Sequence, residues 1–415
     1  MKPIEKQVVI IGGGPAGLAA AVELKKQGIC DILILERERE AGGILRQCIH
    51  DGFGLTRFGE SLSGPEYAER FLQEVQAANI EIQTGTTVIH LTEEHLITAV
   101  SPAGLLQIHA QAVILAMGCR ERTRGALSIP GTRPAGVFTA GVAQSYINLK
   151  NTMVGKNIII LGSGDIGMIM ARRLTLEGAK VLGVFELQPY PSGLPRNIQQ
   201  CLNDYNIPLY LSHTVTAIHG DSRLTGVTVS EVDAVTRKPI AGTEKDYECD
   251  TLILSVGLIP ENELSLEANV ALDPRTKGAT VDQWRQTTVS GIFAAGNVLH
   301  VHDLVDFVSL EAEQMAKAVA EYLKSGLPVC DIPVTAGDGL VYVLPQRVNG
   351  KTATDLCFRV REPMRPCRIQ AIQDGKILAE RKLIKAIPAE MERITLPANT
   401  DTAKSEIRVV AFHEN

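Results

Sequence analysis

The stretch QVVIIGGGPAGLAAAVELKKQGICDILILERE, residues 7–38, decides the fold. It opens with a short apolar run, residues 8–11, that ends at Gly12. Such a run reads as a strand buried on both faces. Pro15 suits the first turn of a helix, which the pattern carries to about Gln27, with Gly28 as its stop. A second apolar run, residues 32–35, ends on Glu36. The glycines stand at G-x-G-x-x-G. Gly12 allows the tight turn, Gly14 lets the backbone approach a pyrophosphate, and Gly17 lets helix and strand pack closely. With Pro15 and Ala16 opening the helix, its unpaired N–H groups and positive dipole end face the phosphates. Glu36, with Arg37 beside it, can accept hydrogen bonds from both hydroxyls of an adenosine ribose.

The unit recurs at NIIILGSGDIGMIMARRLTLEGAKVLGVFE, residues 157–186. Gly162, Gly164 and Gly167 repeat the glycines, Asp165 and Ile166 open the helix, Gly178 stops it, and Glu186 ends the second strand. From Gly12 to Glu36 is 24 positions, and from Gly162 to Glu186 is also 24. A repeat of a whole strand–helix–strand unit is far more specific than a lone glycine pattern. Two dinucleotide folds in one chain suggest FAD and NAD(P). Glu186 favours NAD(H) over NADP(H), because a carboxylate bonds a 2′-hydroxyl and repels a 2′-phosphate. The competing reading is a phosphate pocket made by Arg172 and Arg173, or by Arg196.

Between the copies an apolar strand ends at Gly118, followed by a basic loop. A partner strand follows the second copy at residues 249–264. SGIFAAGNV, residues 290–298, runs a strand into a glycine turn at Gly296 and Asn297, and a helical pattern covers about residues 304–323. Beyond residue 327 come short alternating runs broken by Pro, Gly and an Asp-Gly pair, with QDGK (residues 373–376) as a hairpin turn. The expected fold class is α/β: two Rossmann-like folds, the NAD domain inserted in the FAD domain, plus a small C-terminal antiparallel β domain. The boundaries are 1–150 for the first part of the FAD domain, 151–275 for the NAD domain, 276–326 for the return, and 327–415 for the β domain, read as an interaction module.

The net charge of −6 argues against a nucleic-acid surface. No apolar run reaches the length of a membrane span, and no signal peptide is visible, so the expected location is cytoplasmic. The eight cysteines include no C-x-x-C and fit no zinc, disulfide or iron–sulfur framework. His300, His302 and Asp303 form a polar cluster ahead of the last helix. They read as a helix-capping turn or as groups that relay protons near a cofactor, with His302 a candidate catalytic residue. No third ligand is evident, so no metal is expected.

GGGPAG with its distal Glu36, the LAMG strand end, GSGDIG and GIFAAGN together resemble the two-dinucleotide-fold flavoproteins that include glutathione and thioredoxin reductases. The resemblance covers about residues 8–323. It implies FAD on the first fold, with Gly43, Gly118, Gly296 and Asn297 near it, and NAD(P)H on the second. Asn297 stands where the family usually has Asp; an amide can still bond a ribityl hydroxyl.

The diglycine stretch GGILRQCIHDGFGL (residues 42–55) holds Cys48 alone, where disulfide reductases of the superfamily carry a cysteine pair. Cys48 is either a small packing residue or a single redox thiol whose pKa Arg46 or His50 lowers. The stretch resembles, together with GPEYAERF, MGCRERTRGALSIPGTRPAGVFTAGVAQ and AAGNVLHVHDLVDFVS, flavoproteins of bacterial glycerol-3-phosphate dehydrogenase operons, and subunits of opine oxidase and hydrogen cyanide synthase. This implies a subunit exchanging electrons between NAD(H) and a partner dehydrogenase, glycerol-3-phosphate dehydrogenase-like, with or without a small cysteine-bearing protein, in a homo-oligomer or hetero-complex. Two alternatives stand beside it: a self-sufficient NADH oxidase, peroxidase or disulfide reductase using Cys48, and a non-catalytic flavin-binding assembly subunit.

Overall fold

The computed structural model describes residues 2–399 and 405–414; residues 400–404 and 415, within the expected β domain, lie outside it. The chain divides into two compact units, Met1–Cys119 with Pro260–Asn415, and Arg120–Ile259. The second unit is thus inserted in the first, as expected, but both its boundaries fall earlier than residues 151 and 275. The C-terminal strands do not separate as a unit of their own. Among the described residues no helix is long and apolar enough to cross a membrane.

In the first unit β1 (Ile4–Ile11) leads into α1 (Pro15–Lys26) and β2 (Ile32–Leu35). After α2 (Gly64–Ala77) come β3 (Glu81–Gln83), β4 (Thr87–Leu91), β5 (Leu96–Ser101) and β6 (Gly104–Leu115). β1 pairs in parallel with β2 on one side and β6 on the other, and β2 pairs in parallel with β3. β4 and β5 extend the sheet as an antiparallel meander on β6. The four apolar residues ending β1 have no polar face because both sides are covered. Val8 and Ile10 pack into the core shared with α1, and Val9 and Ile11 into the core on the opposite face.

The second unit repeats the plan. β7 (Val137–Thr139) and α3 (Ala140–Lys150) precede β8 (Asn157–Leu161), α4 (Asp165–Leu176) and β9 (Lys180–Glu186). β10 (Leu209–Leu211) follows, then β11 (His213–His219), β12 (Gly226–Glu231), β13 (Lys245–Glu248) and β14 (Thr251–Leu254). The parallel sheet runs β7-β14-β8-β9-β10, and β11, β12 and β13 form an antiparallel sheet. Gly28 and Gly178, the expected helix stops, both take φ of 88° just past their helices, the left-handed value that glycine accepts without strain.

The chain returns to the first sheet with β15 (Ile292–Ala294), parallel to the end of β6, and then forms α5 (Val305–Ser325). Among the described residues eight strands follow, the two-residue Arg347–Val348, paired antiparallel with the first of them, and seven longer ones: β16 (Ile332–Ala336), β17 (Leu340–Leu344), β18 (Thr354–Val360), β19 (Cys367–Gln373), β20 (Lys376–Leu383), β21 (Glu392–Leu396) and β22 (Ile407–His413). β17, β18 and β21 make one sheet, and β16, β22, β19 and β20 the other. They enclose a core that includes Phe358, Ile369 and Val409. The expected hairpin is present, with Asp374 and Gly375 both at positive φ between paired Gln373 and Lys376. The region is not wholly antiparallel, because β16 and β22 pair in parallel. Their ends are far apart in sequence, so no tight turn dictates their direction.

Ile10 is fully buried at the centre of the first sheet. Ile10→Ala should lower unfolding stability by about 2–5 kcal/mol. The urea midpoint measures this; an unshifted midpoint would mean that this strand is not part of the cooperative core.

Candidate active site

Each glycine turn forms where three pieces of backbone converge. A Cβ on Gly12 would lie 2.4 Å from the carbonyl oxygen of Ala116 at the end of β6, and one on Gly17 would lie 1.9 Å from Gly12 O. The second turn matches: Gly162 against Ser255 O at 2.0 Å, and Gly167 against Gly162 O at 2.7 Å. The middle glycines differ. Around Gly14 the nearest neighbour of a Cβ would be Gly43 Cα at 3.8 Å, and around Gly164 it would be Ser255 Oγ at 3.7 Å. Those open cradles sit at the starts of α1 and α4, where neither Gly14 nor Gly164 offers a side-chain cap. Unpaired helix N–H groups beside open backbone fit a pyrophosphate.

Both terminal acids close onto their own turns. Glu36, buried, accepts the Gly13 N–H on Oε2 at 2.7 Å and the Glu38 N–H on Oε1 at 2.8 Å. Glu186, also buried, accepts the Ser163 N–H on Oε2 at 2.9 Å and the Gln188 N–H on Oε1 at 2.9 Å. The hydroxyls of Ser163 and Ser192 donate to the same Oε2 at 2.6 and 2.7 Å. In each acid Oε1 holds a single donor and keeps a lone pair for a ribose hydroxyl. Arg37 is exposed beside Glu36.

In the second unit Asp165 accepts the Leu194 N–H and the Asn197 amide on Oδ1, at 2.8 and 2.6 Å, and so ties down the loop after β9. Ile166 packs against the unit's core. Arg172 donates to the Tyr205 hydroxyl and Arg173 to Asn148, with a Glu177 ion pair. Arg196 is exposed in that loop.

The first unit brings its scattered expected residues together. Gly42 donates its N–H to Gly13 O at 2.8 Å, laying the diglycine over the turn, and a Cβ on Gly43 would meet Gly14 Cα at 3.0 Å. Gly296, at φ of 75°, lies against Ala16 of α1 and Val308 of α5, where a Cβ would come within 3.0 and 3.1 Å. Asn297 places its amide 3.7 Å from Cys119 Sγ, next to Gly118, and accepts the His302 N–H on Oδ1 at 3.0 Å. Asp306, in the first turn of α5, accepts the N–H groups of Gly54 and Arg57.

Neither Arg46 nor His50 lowers the pKa of Cys48. Burial pushes its thiol up to about 12. Arg46 pairs with Glu40 instead, and the Cys48 thiol donates to Ile44 O at 3.4 Å. A Cβ on Gly64, at the start of α2, would lie 2.8 Å from Cys48 Cβ, which marks close packing.

His300 and His302 do have a third partner, which the sequence did not reveal: Glu311, two turns into α5. The three side chains offer ligand atoms within 4.8 Å of one another. The carboxylate is already shared among protein donors. Oε1 takes Arg285 Nε at 3.1 Å and lies 3.1 Å from His300 Nε2. Oε2 accepts the Gly296 N–H at 3.0 Å. Burial opposes its charge, yet its ionic partners, Arg285 bonded directly to Oε1 among them, hold the carboxyl well below its ordinary range. The cluster is therefore built as a buried ion pair that pins the Gly296 turn. Truncating one partner of such a pair costs about 3–5 kcal/mol.

Twin glycine turns with buried terminal acids, one on each inserted and enclosing fold, are the pattern that dinucleotide-binding folds present. The chain belongs to the pyridine nucleotide-disulphide oxidoreductase family, whose model matches residues 6–321. It is 28% identical over 319 residues to hydrogen cyanide synthase subunit HcnB of Pseudomonas protegens, a match covering 70% of this chain and 65% of that protein, just under two thirds of its length. It is 24% identical over 312 residues to an opine oxidase subunit of Agrobacterium tumefaciens, covering 70% of this chain and 60% of that one. Among solved structures it is similar to thioredoxin reductase of T. acidophilum, with a TM-score of 0.64 and 25% identity over 77% of this chain and 99% of that one.

A thiol is unreactive while protonated, so Cys48 should resist alkylation at neutral pH and react only as pH approaches about 12 or on unfolding. Peptide mapping after iodoacetamide treatment checks this, with exposed Cys30 as the internal positive control. Rapid labelling of Cys48 in the native protein would refute the packing role.

Proposed function

We propose that this chain is the nicotinamide-reactive subunit of a larger dehydrogenase: FAD on the first unit, NADH on the second, and a partner dehydrogenase subunit on the far side of the electron path. The observation that carries the reading is the pair of open glycine cradles, each closed by a buried glutamate with a free lone pair on Oε1. When bound, the two cofactors supply hydride transfer between nicotinamide and flavin, and the protein supplies binding, alignment and electrostatics. In the first unit Gly14 and the start of α1 face the pyrophosphate, Glu36 the adenosine ribose, and Asn297 the ribityl chain. In the second, Gly164 and the start of α4 face the pyrophosphate, and Glu186 selects a ribose carrying a free 2′-hydroxyl.

Two relatives are themselves named as subunits, of hydrogen cyanide synthase and of opine oxidase. That supports a partner subunit here, and a glycerol-3-phosphate dehydrogenase-like partner is the specific proposal. A stand-alone thiol-dependent oxidase or peroxidase is the second reading. The high thiol pKa of Cys48 disfavours it there, and Cys119, beside Asn297, is the better-placed thiol for it.

Anaerobic NADH should bleach the flavin promptly, with NADPH slower, and reoxidation by oxygen or peroxide should be slow. Fast reoxidation lost in Cys119→Ser or Cys48→Ser would favour the thiol reading instead. Glu186→Ala should weaken NADH binding by roughly tenfold to a hundredfold, the worth of hydrogen bonds to a charged group, and narrow the NADH-to-NADPH preference. An unchanged NADH affinity would overturn the ribose assignment. An unchanged preference, with NADPH efficiency falling in Arg196→Ala, would assign the site to NADPH.

A further inference from the structure

We propose that the Nε2 atom of His302, facing Glu311 Oε2 across 3.5 Å, is a proton-uptake site that takes one solvent proton when flavin bound beside Asn297 is reduced. The proposal rests on the FAD reading of the first unit. It starts from hydrogen-bond chemistry. His302 Nδ1 lies 3.0 Å from the carbonyl oxygen of His300. A carbonyl can only accept, so the proton sits on Nδ1, and in the uncharged ring Nε2 is a bare lone pair. That nitrogen lies 3.5 Å from a carboxylate oxygen of Glu311. Two acceptors therefore face one another in a buried place, an arrangement that a proton between them would satisfy.

The surrounding groups leave the uptake to this atom. From α5 comes Glu311, and from the segment before β15 comes Arg285, bonded to it. From the C-terminal strands come Tyr342, Cys357 and Arg359; burial pushes the tyrosine up to about 12 and the thiol up as well. From the same turn come His300 and Asp303, the latter paired with Arg359. The two full charges on each side thus pair off, Arg285 with Glu311 and Arg359 with Asp303. His300 has both ring nitrogens engaged, Nε2 with Glu311 and Nδ1 with the Tyr342 hydroxyl at 3.2 Å. Burial, then His300, depress the His302 pKa to about 3 against the pull of Glu311, so at rest the ring is uncharged.

The cluster reaches the cofactor turn through two backbone bonds. His302 N–H binds Asn297, and Glu311 binds the Gly296 N–H. With both cofactors bound, hydride from NADH would bring two electrons and one proton to the flavin, release NAD+, and leave the flavin one negative charge richer. With the nearby ion pairs already matched, that charge raises the affinity of His302 for a proton. One proton from solvent then bonds to Nε2 and is shared with Glu311 Oε2, so two electrons enter with two protons. His302 is a positioning and charge-balancing residue in this scheme and forms no bond to substrate.

The test uses the FAD-bound protein reduced with dithionite, so it does not depend on NADH. Nitrogen NMR of histidine-labelled protein should show Nε2 of His302 bare in the oxidised state and protonated in the reduced state. The midpoint potential should fall more steeply with pH in the wild type than in His302→Asn, by about 29.6 mV per pH unit over the range where the proton is taken up, one proton per two electrons. Protonation of the flavin itself would persist in the variant and cancel in the comparison. An Nε2 that stays bare in both states, or identical slopes for the two proteins, would overturn the proposal. If His302→Asn does not fold, the NMR of the unaltered protein decides alone. Dithionite reduction with no NADH reduction would strike the nicotinamide reading and leave this one standing.

Discussion

The structure hangs on backbone approaches too close for any side chain. At Gly12 the end of β1, the start of α1 and the carbonyl of Ala116 at the end of β6 meet with no room for a Cβ. A larger residue there would push β6 off β1, and with it β15, which pairs with the same end of β6. Gly162 imposes the same constraint on β8, α4 and the end of β14 through Ser255. Everything assigned to dinucleotide binding stands on these two convergences. They direct the helix N-termini, and their open neighbours Gly14 and Gly164 leave the backbone bare.

The buried glutamates turn those convergences into closed loops. Glu36 and Glu186 take the same two backbone N–H groups relative to their own positions, one in the turn and one two residues downstream. The equal spacing of 24 residues in the two copies thus has a mechanical basis. The acid must end its strand opposite the turn, or the carboxylate would be buried without donors, which costs far more than it returns. The second copy adds Ser163 and Ser192, which hold Oε2 more firmly than the single N–H in the first.

Glu311 has the corresponding role for the late turn. It ties Gly296 to Arg285 and to the histidine pair, while Asp306 on the same helix ties the segment after Cys48. Arg359 and Tyr342, from the C-terminal strands, complete that cluster. Two side chains of the C-terminal strands therefore buttress the turn that carries Asn297.

The sequence by itself determined what depends on local backbone chemistry. The two strand–turn–helix–strand units, their glycine stops, the terminal acids, the Asp-Gly hairpin and the absence of a cysteine pair near Cys48 are all legible, because each is set by residue type at short spacing. What only the tertiary structure decided depends on contacts distant in sequence. Glu311 looks like one polar position on a helix until folding sets it against Gly296, His300 and Arg285. The Cys48 thiol looks open to activation by Arg46 until Glu40 takes the arginine and burial raises the pKa. The direction of β22 against β16, and the earlier boundaries of the inserted unit, likewise follow from pairing between remote strands. Spacing along the chain does not encode which of them meet, because long-range pairing is chosen by how whole faces bury together.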